Sequence, residues 1–195
     1  MRKALLIGIN DYPAGNELTG CVEDINSVKA AIERNGDGSP NFDVKMMSNV
    51  RTSGEVMDAI SKLFSGNDDI ALLYFSGHGY MNSTGAEIVM PQDIATPGQY
   101  YTGIQMSTIM DIVNDSKVRN KIVILDCCHS GNFGKYKLLD AGSILNTGVS
   151  ILTAAVVNYC VAKRSLFSII DSLSKAFAWF ASFLSTVTTT LNQFK

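Results

Sequence analysis

Residues 121–131 read KIVILDCCHSG, an apolar run that ends in an aspartate, two adjacent cysteines and a histidine. A short, continuous run of Ile, Val and Leu bounded by polar residues is typical of a strand that is covered on both faces of a sheet. We therefore predict a strand at 122–125. Comparable runs predict further strands at 4–9, 42–47, 70–75 and 149–153.

Helical periodicity separates these predicted strands. Apolar residues recur at intervals of three and four positions, which indicates helices with one buried face. The periodic residues are Ile25, Val28 and Ile32, then Val56, Ile60 and Leu63, then Met106, Ile109, Met110 and Val113. Ser53 is placed to cap the second helix. Because parallel strands need crossover connections, which are usually helical, the alternation predicts an α/β fold: a mostly parallel central sheet with helices on both faces.

Composition limits the classes of function. The chain has 195 residues, 46% of them hydrophobic, so it can bury one sizeable core and we expect a single domain over 1–195. A net charge of -2, with 16 Lys and Arg residues that do not cluster, argues against a nucleic-acid partner. The 4 cysteines are too irregularly spaced for a disulfide framework, and the N-terminal MRKALLIGINDY lacks a small-residue cleavage site. We therefore expect a cytoplasmic protein.

The last long apolar stretch, 166–187, follows helical spacing and has one apolar face. Asp171 and Lys175 interrupt it, which leaves fewer consecutive uncharged residues than the roughly 18 that a membrane-spanning helix needs. We therefore predict no spanning segment. Packing against the core is the commonest use of such a face, and a partner or membrane surface is the alternative.

Three polar clusters follow predicted strands: INDY at 9–12, SGHG at 76–79 and DCCH at 126–129. In open sheets of this kind, functional sites form beyond the carboxyl ends of the strands, so we expect the clusters to meet at one edge. Each of the chain's 2 histidines lies in one of them. The polar, glycine-rich span 79–103 is predicted to be a long loop.

A cysteine peptidase needs a thiol nucleophile and an imidazole that accepts the thiol proton. His78 with Cys127 or Cys128 satisfies this requirement, and the amides of Gly79 and of the nucleophile could stabilise an oxyanion. The alternatives are a buried structural cysteine and a hydrogen-bonded loop histidine. Zinc binding by the two cysteines and His129 is disfavoured because adjacent strand residues point to opposite faces and no second ligand pair has suitable spacing. A disulfide between the adjacent cysteines is disfavoured by geometry.

The sequence carries a resemblance to a known family. Residues 74–79, YFSGHG, and 126–131, DCCHSG, together resemble the catalytic signature of the caspase-like cysteine peptidases, in particular the metacaspase and orthocaspase branch. LLIGINDY at 5–12 and LTGCVED at 18–24 are similar in order and position to the same branch. The resemblance implies a caspase-like fold with a large-subunit-like part at about 1–137 and a short small-subunit-like part at about 148–195.

The resemblance also implies roles for individual residues. In the family pattern the nucleophile is the cysteine immediately before the histidine, which corresponds to Cys128 and leaves Cys127 at a variable position. His78 then corresponds to the general base, and the separation of His78 and Cys128 agrees with the spacing of about 50 residues in caspases. The oxyanion donors would be the amides of Gly79 and Cys128.

The resemblance to the metacaspase branch implies a first specificity pocket that is acidic and accepts Arg or Lys. The corresponding residues are Cys21, Asp24, Ser76 and Asp126. Two carboxylates that face one cavity favour a guanidinium or ammonium group. Without the resemblance, Asp24 would be interpreted as an acid in the first turn of a helix, where the helix dipole stabilises it. The implied activity is cysteine endopeptidase cleavage of proteins or peptides after a basic residue, with no cofactor.

The resemblance also allows a comparison with calcium-dependent metacaspases, which carry a cluster of acidic residues between the two catalytic motifs. The corresponding residues 99–104 contain none. Glu87 and Asp93 provide too few oxygens for a cation that usually takes six to eight. We therefore expect no metal site.

The segment 131–148 resembles the stretch that caspase-like enzymes often cut between their subunits. It contains Lys135 and Lys137, which are candidate self-cleavage sites for an enzyme specific for basic residues. The small-subunit-like part that follows is short, so an activating partner protein is expected. The alternative function is a weak or inactive caspase-fold signalling module that binds a partner through its cleft or its apolar C-terminal helix.

Overall fold

A computed structural model describes the backbone of residues 1–82, 85–96, 99–100, 103–128 and 149–154. Side chains are described for 1–80, 87–94 and 103–127. The predicted helix at 166–187 and both candidate self-cleavage lysines, Lys135 and Lys137, lie outside the described residues.

Strands and helices alternate along the chain. The strands are β1 (Arg2–Gly8), β2 (Asp43–Ser48), β3 (Ile70–Asn82), β4 (Gly85–Ile88), β5 (Ile94–Thr96), β6 (Gln99–Tyr100), β7 (Ile104–Gln105), β8 (Asn120–Cys128) and β9 (Val149–Ala154). The helices are α1 (Cys21–Ile32), α2 (Ser53–Phe64) and α3 (Met106–Asp115). Within the described residues, each of the five predicted strands and each of the three predicted helices is present, with strand ends that differ by a few residues except at β3.

Parallel strands make up the centre of the sheet. In the described residues their order is β2-β1-β3-β8-β9, and every neighbouring pair is parallel. Helix α1 packs on the face that carries Leu6 and Leu72, where its Ile25 is fully buried. Helices α2 and α3 pack on the opposite face through Ile60 and Ile109. The predicted α/β fold, a mostly parallel sheet with helices on both faces, is confirmed.

The predicted cap of α2 is wrong by one residue. Thr52 is the N-cap: its backbone is extended and its side chain accepts a hydrogen bond from the Glu55 amide at 3.3 Å. Ser53 is the first helical residue, and its hydroxyl donates to the carboxylate of Asp93 at 3.1 Å. Both residue types cap helices well. The contact with Asp93, distant in sequence, occupies the serine hydroxyl.

The predicted loop at 79–103 is also largely wrong. Strand β3 continues to Asn82 and pairs with β4 in antiparallel register, and β4 pairs with β7. A further antiparallel pair joins β5 and β6. Strands β4 and β7 form because they add to the sheet beside β3, and the β5–β6 pair forms a separate two-stranded sheet; no local pattern reveals either pairing. As a result the SGHG motif at 76–79 lies inside a strand and not beyond its end.

Candidate active site

The two motifs with histidine and cysteine lie side by side on β3 and β8. The Cα pairs in the parallel register are Ser76–Asp126, Gly77–Cys127 and His78–Cys128. Adjacent strands are about 4.8 Å apart, so residues paired in this way are neighbours across the sheet. The register therefore brings together the candidate base and the candidate nucleophile, and, two residues earlier on each strand, two candidate pocket residues.

His78 is held through its backbone and its ring. Its amide donates to the hydroxyl of Tyr12 at 2.9 Å, and its Nε2 lies 2.7 Å from the carbonyl oxygen of Asn16. Because a carbonyl can only accept, we assign the hydrogen to Nε2, and Nδ1 of the neutral ring is then the nitrogen that can take up a proton. Burial lowers the pKa of His78, while the Asn16 contact opposes that shift. The imidazole is thus neutral near pH 7.

The glycines beside His78 allow two other side chains to approach the strand. A Cβ at Gly77 would lie 2.7 Å from the Tyr12 hydroxyl, and a Cβ at Gly79 would lie 2.8 Å from the Cys127 Cβ. Both distances are too short for a real side chain. Close packing therefore requires glycine at both positions.

The two adjacent cysteines occupy alternate positions at the end of β8. Cys127 is buried, with 9% of its surface exposed, in the core cluster that β8 shares with α2 and α3. Successive strand residues alternate between faces, so Cys128 takes the position that follows Asp126 on the α1 face. The two cysteine positions therefore belong to opposite faces of the sheet.

An acidic cluster lies on the α1 face of β3 and β8. Asp24, in the first turn of α1, accepts a hydrogen bond from the hydroxyl of Ser76 at 3.0 Å. Asp126 accepts one from the hydroxyl of Tyr74 at 3.3 Å. Three of the residues predicted to form the first pocket therefore lie together, and Tyr74 joins them. The fourth, Cys21, is the buried first residue of α1, and its amide donates to Asn10 Oδ1 at 2.9 Å.

The electrostatics of this cluster favour a cation. Burial raises the pKa of Asp24, and the hydrogen bond from Ser76 opposes the shift. Burial also raises the pKa of Asp126, and the negative charge of Asp24 raises it further. Two half-buried carboxylates that repel each other gain free energy when a guanidinium or ammonium group comes between them.

Sequence reasoning missed three residues of the site. Tyr12 stood in the INDY cluster but received no role, and Tyr74 stood in the YFSGHG motif. Asn16 acts through its backbone carbonyl, so its residue type carries no signal. The first two could have been found by asking what each polar side chain of a motif hydrogen-bonds to.

Two acidic residues considered for calcium lie away from this cluster. Glu87 accepts a hydrogen bond from the Gly103 amide at 3.0 Å, and Asp93 accepts one from the Met90 amide at 2.8 Å. Within the described residues, no group of three or more His, Cys, Asp or Glu side chains is arranged to hold a metal ion. None of the helices in the described part of the chain has the length and apolarity to span a bilayer.

Comparison with known proteins agrees with the resemblance. A sequence model of the caspase domain, peptidase family C14, matches residues 1–185. Metacaspase-1 of Candida albicans is 29% identical over 157 residues, which covers 67% of this chain and 33% of that protein. Metacaspase-6 of Arabidopsis thaliana is 30% identical over 151 residues, with 67% of this chain and 38% of that protein covered. The chain thus spans a third or slightly more of the length of these relatives. The match over 1–185 shows that the chain belongs to the caspase domain family.

Proposed function

We propose that the protein is a cysteine endopeptidase that cleaves proteins or peptides after Lys or Arg, with Cys128 as nucleophile and His78 as general base. The register of β3 and β8 carries this proposal. It pairs His78 with Cys128 and, two residues earlier on the same strands, pairs Ser76 with Asp126. Catalytic groups and specificity pocket are thus built on the same two strands.

The reaction follows from the tautomer of His78. Nδ1 accepts the thiol proton, and the thiolate of Cys128 attacks the substrate carbonyl carbon. The Gly79 and Cys128 amides are the proposed donors to the oxyanion. The imidazolium then protonates the leaving amine, and water, deprotonated by the same imidazole, hydrolyses the thioester and restores the thiol. Throughout, the Asn16 carbonyl accepts the Nε2 hydrogen and stabilises the imidazolium.

The distance between the catalytic pair and the acidic cluster suits a basic side chain. Two residues along a strand correspond to about 7 Å. The long stem of Lys or Arg covers such a distance and places its charge beside Asp24 and Asp126. Ser76 and Tyr74 hold these carboxylates in place through one hydrogen bond each. Because both carboxylates are partly buried, they lack the full solvation that water would give them. A cationic side chain replaces that lost stabilisation, whereas an apolar or acidic side chain does not.

The setting that fits this chemistry is a reducing one, since the nucleophile must remain a thiol. We therefore place the enzyme in the cytoplasm.

An Arg-directed, thiol-reactive peptide probe tests the proposal. Wild-type protein and Cys127→Ala should both become labelled at Cys128, and Cys128→Ala should not. A matched probe with Asp in place of Arg should label at least tenfold more slowly, as expected for a charge-assisted contact. Folded wild-type protein that reacts with neither probe, with or without cell extract to supply an activator, would instead identify an inactive binding module.

A further inference from the structure

The hydroxyl of Tyr12 is inserted into the sheet beside His78. Its oxygen accepts the His78 amide hydrogen at 2.9 Å and donates to the Val89 carbonyl at 2.8 Å. The Val89 amide in turn donates directly to the His78 carbonyl at 2.9 Å. In an antiparallel pair, facing residues normally exchange two direct hydrogen bonds. Here one of the two passes through the phenol of a residue 66 positions away.

This insertion lies where the pairing of β3 changes. Up to His78 the strand pairs in parallel with β8, and from Gly79 it pairs in antiparallel register with β4. The inserted hydroxyl oxygen lies between the backbone amide of His78 and the backbone carbonyl of Val89, and it thereby sets the path of the backbone at His78. Gly77 makes the insertion possible, since a Cβ at this position would lie 2.7 Å from the hydroxyl.

The ring of Tyr12 constrains the imidazole as well. The two rings meet edge to face, with centroids 4.4 Å apart and planes at 66°. On the ring's Nε2, the Asn16 carbonyl provides a second contact. Tyr12 and Asn16 belong to the same segment between β1 and α1, in which the Asn10 carbonyl accepts the amides of Tyr12 and Leu18. One braced segment therefore holds both the backbone and the ring of His78.

We propose that Tyr12 is a positioning residue for His78, whose hydroxyl sets the backbone and whose ring edge sets the imidazole. The kinetic consequence rests on the peptidase function proposed above. A buried tyrosine that only stabilises the core is the competing interpretation, since 5% of its surface is exposed. The two interpretations differ in what the loss of the hydroxyl does to turnover.

The chain offers a matched control for this test. The hydroxyl of Ser116 makes the same two kinds of bond: it donates to the Phe64 carbonyl at 2.6 Å and accepts from the Val118 amide at 3.1 Å. Ser116 lies at the end of α3, and neither of its partners belongs to the candidate site. Tyr12→Phe and Ser116→Ala therefore each remove one hydroxyl from between a backbone donor and a backbone acceptor.

Steady-state kinetics and thermal unfolding are measured on both variants. We expect Tyr12→Phe to lower kcat about tenfold with KM within about twofold of wild type, because misplacing a catalytic base affects the transition state and not ground-state binding. Ser116→Ala should lose a similar amount of thermal stability and keep its kcat. Equal kcat in Tyr12→Phe and Ser116→Ala would overturn the proposal.

Amide hydrogen exchange gives a readout that needs no activity. Tyr12→Phe in the Cys128→Ala background should speed exchange of the His78 amide and broaden the His78 ring signal, while Ser116→Ala in that background should change neither. Unchanged signals in Tyr12→Phe would overturn the positioning role even if the protein were not a peptidase. Conversely, if the wild-type protein cleaves no peptide while Tyr12→Phe produces these changes, the proposed function alone is refuted.

Discussion

His78 and Cys128 are direct partners in the register of two parallel strands, although 49 residues lie between them in the sequence. The neighbouring strands reduce that separation to about 4.8 Å between backbones. A Cys–His pair of this kind needs no flexible loop to bring its members together. The backbone register of the two strands is sufficient to make the two positions neighbours.

The positions of the two cysteines predict different effects of substitution. Cys128→Ala should abolish peptide cleavage, because the nucleophile is lost. Cys127→Ala should keep cleavage within about threefold of wild type and cost about 1 kcal/mol of stability, since only a buried sulfur beside Gly79 is removed. Peptide turnover and thermal unfolding of the two folded variants check this. Equal loss of cleavage in both would refute the assignment of the nucleophile.

The burial of His78 predicts an unusually acidic imidazole. In Cys128→Ala, where no thiolate can perturb it, proton NMR should show His78 titrating below the ordinary value of 6.5. The chain has 2 histidines, so His129→Gln assigns the signals. A midpoint at or above 6.5 would show that burial does not dominate.

The same shift makes the fold sensitive to acid. Because the folded-state pKa of His78 is lowered, the unfolded chain binds more protons as pH falls through and below 6.5, and stability should decline there. His78→Gln should remove this part of the decline in urea unfolding measured between pH 7 and pH 5. A pH dependence identical to that of wild type would contradict the prediction.

The two carboxylates of the acidic cluster predict a specificity for basic residues. Asp24→Asn and Asp126→Asn should each lower kcat/KM for Arg and Lys substrates by about ten- to a hundredfold. Thermal stability should not fall in Asp24→Asn, since the repulsion that raises the pKa of Asp126 is removed. Asp11→Asn, which alters an exposed acid, is the control. A peptide library in which Asp is preferred to Arg at the cleaved position would disprove the assignment.

The acids near β4 predict little dependence on calcium. Glu87 and Asp93 already accept backbone hydrogen bonds from Gly103 and Met90. Cleavage rates in chelator should therefore remain within about twofold of those in calcium. Activity that disappears in chelator and returns with calcium, but not with magnesium, would reveal a site that we have not identified.

Self-cleavage is expected at Lys135 or Lys137, because a segment tethered close to the nucleophile experiences a high effective concentration of enzyme. Mass spectrometry of stored wild-type protein should detect fragments ending at one of these residues. Cys128→Ala and the double variant Lys135→Gln, Lys137→Gln should remain intact. A cut that persists in Cys128→Ala would indicate a contaminating protease.

The sequence by itself determined the order of strands and helices and the chemistry of the motifs. Apolar runs such as 122–125 and helical spacing such as that from Val56 to Leu63 depend on neighbours in the chain, and local patterns report local structure. The sequence also identified His78 and Cys128 as candidates, because reactive residue types are rare and both residues follow an apolar run.

Only the tertiary structure decided how those residues are held. The N-cap of α2 is Thr52 and not the predicted Ser53, whose hydroxyl donates to Asp93. The span after Gly79 forms strands and not the predicted loop, since β4 pairs with the extended β3. The hydroxyl that supports His78 comes from Tyr12, 66 positions earlier. A hydrogen bond forms between groups that are close in space. The folded sheet brings these distant segments together, and the local sequence of neither segment predicts that proximity.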